Sequence, residues 1–100
     1  MKKVQVIWTD ESLNDLEVIY DFIAEQSSKS AKKVIQSILS RTRQLEAFPQ
    51  SGSPQETDIK VKREYRYLVE GNYKIIYSMD EKVLYVEAVV DTRQNPAKLK

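Results

Sequence analysis

Residues 59–96, IKVKREYRYLVEGNYKIIYSMDEKVLYVEAVVDTRQNP, constrain the fold more than any other part of the chain. They read as three consecutive strands joined by two tight turns. In the first, residues 59–70, Ile59, Val61, Arg63, Tyr65, Tyr67 and Val69 share one face. Lys60, Lys62, Glu64, Arg66, Leu68 and Glu70 share the other, by the period of two. Gly71-Asn72 is a two-residue hairpin signal, because glycine takes positive φ freely and asparagine tolerates it better than most residues. The second strand, residues 73–79, is apolar on both faces apart from Lys74 and Ser78, which suits the centre of a sheet. Asp80-Glu81-Lys82 turns the chain again, and residues 83–90 form the last strand.

The chain before residue 59 supplies the layer that such a sheet must bury. Residues 3–8, KVQVIW, alternate as a short strand. Thr9 with Asp10 and Glu11 behind it is a helix start: the hydroxyl accepts an orphan N–H and the carboxylates suit the positive end of the helix. The first helix is predicted over residues 10–26, with Leu13, Leu16, Ile19, Tyr20 and Ile23 forming one apolar stripe. Its outer face carries Asp10, Glu11, Asp15, Glu17, Asp21 and Glu25. Ser27 and Ser28 interrupt it, and one of Ser27, Ser28 or Ser30 caps a second helix over residues 29–48. Ala31, Val34, Ile35, Ile38, Leu45 and Phe48 recur there at helical spacing, as does Leu39. Between residues 29 and 45 its charges are all positive: Lys29, Lys32, Lys33, Arg41 and Arg43. An acidic helix followed by a basic one predicts an antiparallel hairpin with complementary flanks, although each exposed pair is worth only about 0.2–1 kcal/mol. Pro49 ends the helix, and residues 50–58 form a polar loop.

The order is therefore β-α-α-β-β-β. That pattern belongs to the α+β class, with the helical hairpin packed on one face of a small, mainly antiparallel sheet. The place of the first strand in that sheet stays open. The 100 residues fit one domain, residues 1–100, and 41% of them are apolar. There is no cysteine and no histidine, which removes thiolate chemistry, the commonest metal ligand and the usual general base at neutral pH. The net charge is +1, from 16 basic and 15 acidic residues, far from the excess expected of a general nucleic-acid coat. No apolar run approaches the roughly 20 residues needed to cross a bilayer. The opening MKKVQVIWTDESL meets Asp10 and Glu11 too soon for a signal peptide. A soluble cytoplasmic protein without a membrane partner is the expectation.

Four segments, in order and well separated, carry a further likeness: VIWTDESLNDLEVIYDFI, LEAFPQSG, YRYLVEGNYKIIY and VVDTRQNPAKL. With them the chain resembles the RelE/ParE superfamily, the toxin halves of bacterial type II toxin–antitoxin modules, and is closer to its ParE-like members. The resemblance implies a growth-inhibiting toxin of the kind that stabilises plasmids, held inactive by a cognate antitoxin. It also implies one of two targets. RelE-like members enter the ribosomal A site and cleave messenger RNA; ParE-like members bind DNA gyrase and poison it. Neither a metal nor a small-molecule cofactor is expected.

A metal-free ribonuclease must activate a 2′-hydroxyl, stabilise charge on the phosphate and protonate the leaving oxygen. Arg66, Lys74 and Arg93 are the catalytic candidates for charge stabilisation, and with Lys60 and Lys62 they form the candidate target-binding set. The resemblance places Arg93 on the family's arginine at the end of the final strand. It places Lys74 where RelE-like enzymes carry arginine, and lysine cannot grip a phosphate with a two-pronged fork. Nuclease members also use a histidine, or a tyrosine in the C-terminal tail. This chain has no aromatic residue after Tyr85; Glu64 and Glu87 are candidate bases, with a solvated strand residue as the plainer reading of each. Each cation also has a plainer reading: Arg66, Lys74, Lys60 and Lys62 as exposed sheet residues that discourage edge pairing, and Arg93 as an anchor of the C-terminal tail paired with Asp91 or with a helix carboxylate. Tyr65, Tyr67, Tyr73, Tyr77 and Tyr85 admit two readings, a base-stacking platform or half-buried core. The expectation is a ParE-like gyrase inhibitor; the alternatives are a ribosome-dependent mRNA interferase and a non-toxic interaction domain of the same fold. The antitoxin arm is expected in the groove between the helical hairpin and the sheet edge.

Overall fold

A computed structural model describes residues 3–55 and 64–93. The elements are β1 (Gln5–Trp8), α1 (Asp10–Ala24), α2 (Ser28–Arg43), a 3-10 turn (Gln44–Glu46), β2 (Ser53–Pro54), β3 (Glu64–Glu70), β4 (Tyr73–Asp80) and β5 (Val83–Asp91). The fold is α+β: two helices lie on a five-stranded sheet of order β1-β5-β4-β3-β2. All strand pairs are antiparallel except β1 with β5, which run parallel. That pairing fixes the place of the first strand, at the edge beside the last. The apolar strand β4 is central, as its two-sided hydrophobicity requires. The expected first half of the hairpin strand, residues 59–63, lies outside the described residues, and so do Lys60 and Lys62.

The helix starts follow the capping chemistry. The Thr9 hydroxyl accepts from Ser12 N–H at 3.1 Å and donates to the Val86 carbonyl at 2.9 Å, so one side chain starts α1 and fastens it to β5. Ser27 caps α2 by accepting from Ser30 N–H. The turns follow equally local rules: Gly71 takes φ +60° between β3 and β4, and Glu81 takes φ 57° between β4 and β5.

The core forms between the helices and one sheet face. Leu16 and Ile19 of α1 and Ile38 of α2 meet Leu68, Ile75, Tyr77 and Val86 there. Cross-strand partners share a face, so the pairs Leu68↔Ile75 and Arg66↔Tyr77 place Arg66, Leu68 and Tyr77 toward the helices. Trp8 packs against the same core. A bulge modifies β5: Ile76 faces Ala88 while Tyr77 faces Val86, making Glu87 the extra residue. The offset of one lets Val86 and Val89 both point at the helices, which strict alternation forbids.

Several expectations change. The first turn of α1 departs from the expected stripe: Ser12 is fully buried, whereas Leu13 is 50% exposed. The reason is polar. Ser12 Oγ donates to the Thr9 carbonyl at 2.8 Å, so a serine fits under the helix start where β1 enters it. Asp15, expected on the outer face, points instead at β5. α2 stops at Arg43 and tightens into the 3-10 turn before Pro49, leaving Phe48, expected in the core, 63% exposed. The polar loop contains an unexpected short strand, β2, paired with Arg66 and Tyr67 of β3. The expected complementary flanks are not joined either: among the described residues no ion pair links α1 to α2.

Candidate functional site

Among the described residues, the candidate cations Arg66, Lys74 and Arg93 do not converge. Arg66 lies on the helix-facing side of β3, where its Nη1 donates to the Gly52 carbonyl at 2.8 Å and reaches the Gln50 carbonyl at 3.4 Å. It also pairs with Glu64. The hydroxyl of Tyr77 reinforces this loop, donating to the Pro49 carbonyl at 2.9 Å and accepting from Gly52 N–H at 3.0 Å. Burial pushes the Tyr77 phenol above its ordinary value, with hydrogen bonding from Gly52 and the charge of Arg66 opposing it. Arg66 therefore clamps the loop that follows α2, and its guanidinium is spent on backbone carbonyls.

Lys74 is on the opposite sheet face, since it pairs in register with Val69 and Val90 rather than with the helix-facing set. Its ammonium sits 4.1 Å from the centre of the Tyr67 ring. Arg93 is at the end of β5. Its backbone N–H and guanidinium all bond the carboxylate of Asp91, at 2.9 to 3.1 Å. That arrangement holds Asp91 below the ordinary carboxylate range, chiefly through the side-chain hydrogen bond. Burial, helped by the nearby Asp91 charge, raises the Tyr73 phenol beside them.

The five tyrosines divide between the two faces. Tyr73 and Tyr77 are core; Tyr65, Tyr67 and Tyr85 are half-buried on the face opposite the helices. Glu64 is held by Arg66, and Glu87 accepts from the Ser78 hydroxyl at 2.6 Å. Among the described residues no group of three or more His, Cys, Asp or Glu could hold a metal ion, and no helix is long and apolar enough to cross a membrane.

The structure does form a concave surface where the helical layer meets the β3–β4 turn. Lys33, Val34 and Ser37 of α2 form one wall of a groove of about 190 Å³, and Gly71, Asn72 and Tyr73 form the other. It continues along α2 past Gln36 and Ser40 to Arg41, whose guanidinium lies 3.9 Å from the Glu70 carboxylate. The floor is apolar, through Val34 and Ile38, and the rim is mixed in charge, with Lys33 and Arg41 against Glu70. Such a surface suits an extended or helical peptide with apolar anchors.

The family model described as "ParE toxin of type II toxin-antitoxin system, parDE" matches residues 6–96. The chain belongs to the ParE toxin family. Among solved structures, a chain of the chromosomal ParDE toxin–antitoxin system from P. aeruginosa is similar to this ParE-family chain with a TM-score of 0.74. The two are 17% identical, and the alignment covers 89% of this chain and 96% of the other, so the likeness is one of fold. No curated protein matches. Family membership makes an antitoxin the partner of this ParE-family chain.

Proposed function

We propose that this ParE-family toxin acts in the cytoplasm by binding DNA gyrase, not by cutting messenger RNA. The observation that carries this reading is the placement of Arg66. A phosphate-gripping arginine must hold its fork free for the ligand, and here Nη1 is taken by the Gly52 and Gln50 carbonyls and Nη2 by the Glu64 carboxylate, on the helix side of the sheet. Lys74 occupies the other face and Arg93 the end of β5, so the three cations do not surround one phosphate. A binding toxin does not need them to. Arg93, exposed and pre-oriented by Asp91, and Lys74 remain candidate target contacts on this reading.

In the same proposal the antitoxin's C-terminal arm lies in the groove between α2 and the β3–β4 turn, its ordering cost offset by burying apolar anchors against Val34 and Ile38. Expression of the chain without its antitoxin tests the target. Inhibited supercoiling in vitro and double-strand DNA breaks in cells are the expected result. Messages truncated at defined 3′ ends, abolished by Arg93→Ala in a folded protein, would overturn it in favour of the RelE-like reading.

A further inference from the structure

The outer surface of the helical hairpin is divided by charge. Along α1, Glu17, Asp21 and Glu25 are exposed; along α2, Lys29, Lys32 and Arg43 are exposed. Asp21 and Glu25 at the end of α1, and Lys29 and Lys32 at the start of α2, run against the local preference of their helices. α1 has no basic residue in its last turn, and α2 begins with lysines and has no acidic residue in its first. The ion pairs formed by the described residues, Arg41–Glu70, Arg66–Glu64 and Arg93–Asp91, leave both rows without an internal partner. Flanking the charges are apolar side chains that the fold does not cover: Leu13 and Val18 on α1 and Leu39 on α2, at 50%, 59% and 39% exposure.

We propose that this surface is self-complementary and takes a second copy of this chain. A two-fold axis lying in the interface, parallel to the helices and midway between them, sets α1 of one copy against α2 of its partner. The same operation sets α2 against the partner's α1, so every acidic row meets a basic row twice. An axis across the helices would instead oppose like charges, so the pattern selects one symmetry. Any other occupant must present a basic row and an acidic row side by side at the spacing of two packed helices; a second copy does so by construction. Leu13, Val18 and Leu39, flanking the rows, add apolar contacts. Exposed ion pairs contribute little each and are screened by salt, so the association is weak and ionic-strength dependent.

The experiment is sedimentation equilibrium on the full chain, made by cell-free synthesis, in about 0.05 M and about 0.5 M salt. Two charge-reversed proteins accompany it: Glu17→Lys with Asp21→Lys, and Lys29→Glu with Lys32→Glu. Both reversals put charge where the helix dipole favours it and both avoid the groove residues Lys33 and Arg41, so folding, checked by circular dichroism, is retained. The unaltered chain should dimerise, with its dissociation constant rising about tenfold or more at the higher salt. Each reversed protein alone should be monomeric, and an equimolar mixture of the two should form a one-to-one heterodimer. A monomeric unaltered chain at low salt would overturn the proposal. So would reversed proteins that still self-associate, or a mixture that stays monomeric. Loss of antitoxin binding in the reversed proteins, with no self-association of the unaltered chain, would assign the face to the antitoxin instead.

Discussion

The carboxylate of Asp15 accepts a 2.9 Å hydrogen bond from the backbone N–H of Val89, joining the middle of α1 to β5 just past its bulge. The bulge moves the ladder by one residue, and Asp15 supplies the acceptor that Val89 bonds. A charged acceptor at a part-buried amide is worth about 1.5–3 kcal/mol. Asp15→Ala should therefore lower stability in urea denaturation by about that amount. Asp15→Asn, which keeps an acceptor oxygen, should recover much of the loss. The exposed Asp21→Ala should change stability by no more than about 0.5 kcal/mol. Equal effects of Asp15→Ala and Asp21→Ala would remove Asp15 from this role.

Gly52 has no room for a side chain. A Cβ there would sit 2.5 Å from the Tyr77 hydroxyl and 2.6 Å from the Tyr67 carbonyl, and the second of these is backbone. Gly52→Ala must displace either the tyrosine or the β3 edge, a loss of about 1–3 kcal/mol from overpacking plus the disturbed hydrogen bonds. Gly71→Ala meets no atoms but keeps a φ of +60°, so its cost is backbone strain of about 1 kcal/mol. Thermal melts of the two variants should rank Gly52→Ala well below Gly71→Ala. The reverse order would mean that loop 49–52 is not clamped.

Tyr77 links stability to alkaline pH. Burial raises its folded-state pKa, so its contribution is complete below the unfolded value near 10 and is lost as pH rises toward and through the folded value. Stability should decline more steeply above about pH 10 in the unaltered protein than in Tyr77→Phe. Tyr77→Phe itself leaves Gly52 N–H and the Pro49 carbonyl without this partner, costing about 1–3 kcal/mol at neutral pH. Tyrosinate absorbance followed with circular dichroism across the alkaline limb measures both. Identical limbs in the two proteins would contradict the assignment.

The hairpin strands, both helix caps and the apolar stripe of α2 were legible because each depends on local chemistry: period-two alternation, Gly71 at positive φ, and hydroxyls at Thr9 and Ser27. The inward turn of Ser12 and Asp15 was not legible. Both are polar; Asp15 finds its partner only in β5, some seventy residues later in the chain, and Ser12, bonded locally to the Thr9 carbonyl, lies inward where Thr9 is fastened to β5. The same holds for Arg66. Alternation places it correctly beside Leu68, but nothing local says that Gly52 and Gln50 will present carbonyls to it. The parallel pairing of β1 with β5 is likewise non-local, set by tertiary packing and not by the sequence of either strand. Among the described candidates, Arg66 and Lys74 do not meet because they fall on opposite faces once the Gly71-Asn72 turn fixes the register.

Asp91 should govern part of the acid limb. Its folded-state pKa is depressed, so its contribution is present above the unfolded value near roughly 3.9 and is lost as pH falls through the lower folded value. Asp91→Asn should flatten the stability profile at the acid end of the titration, and Arg93→Ala should do the same, because Arg93 is the main cause of the shift. Chemical denaturation at a series of acid pH values checks this, and an unchanged profile in both variants would refute it.

Arg66 separates a structural role from a target contact. Its side chain is 19% exposed and its Nε is buried without an acceptor among the described residues, so the guanidinium is held for its Nη contacts to the loop. Arg66→Ala should release residues 50–52 and lower stability by about 1–3 kcal/mol. Arg66→Lys should recover little, because one ammonium cannot reproduce the fork that reaches both carbonyls and Glu64. If the clamp is its whole role, the toxicity of Arg66→Ala should fall only as far as the folded population falls, and lowering the growth temperature should restore it. Lys74→Ala gives the contrast, since Lys74 touches only the Tyr67 ring among the described partners. A stable, fully folded Arg66→Ala protein that has lost all toxicity would instead make Arg66 a direct contact with the target.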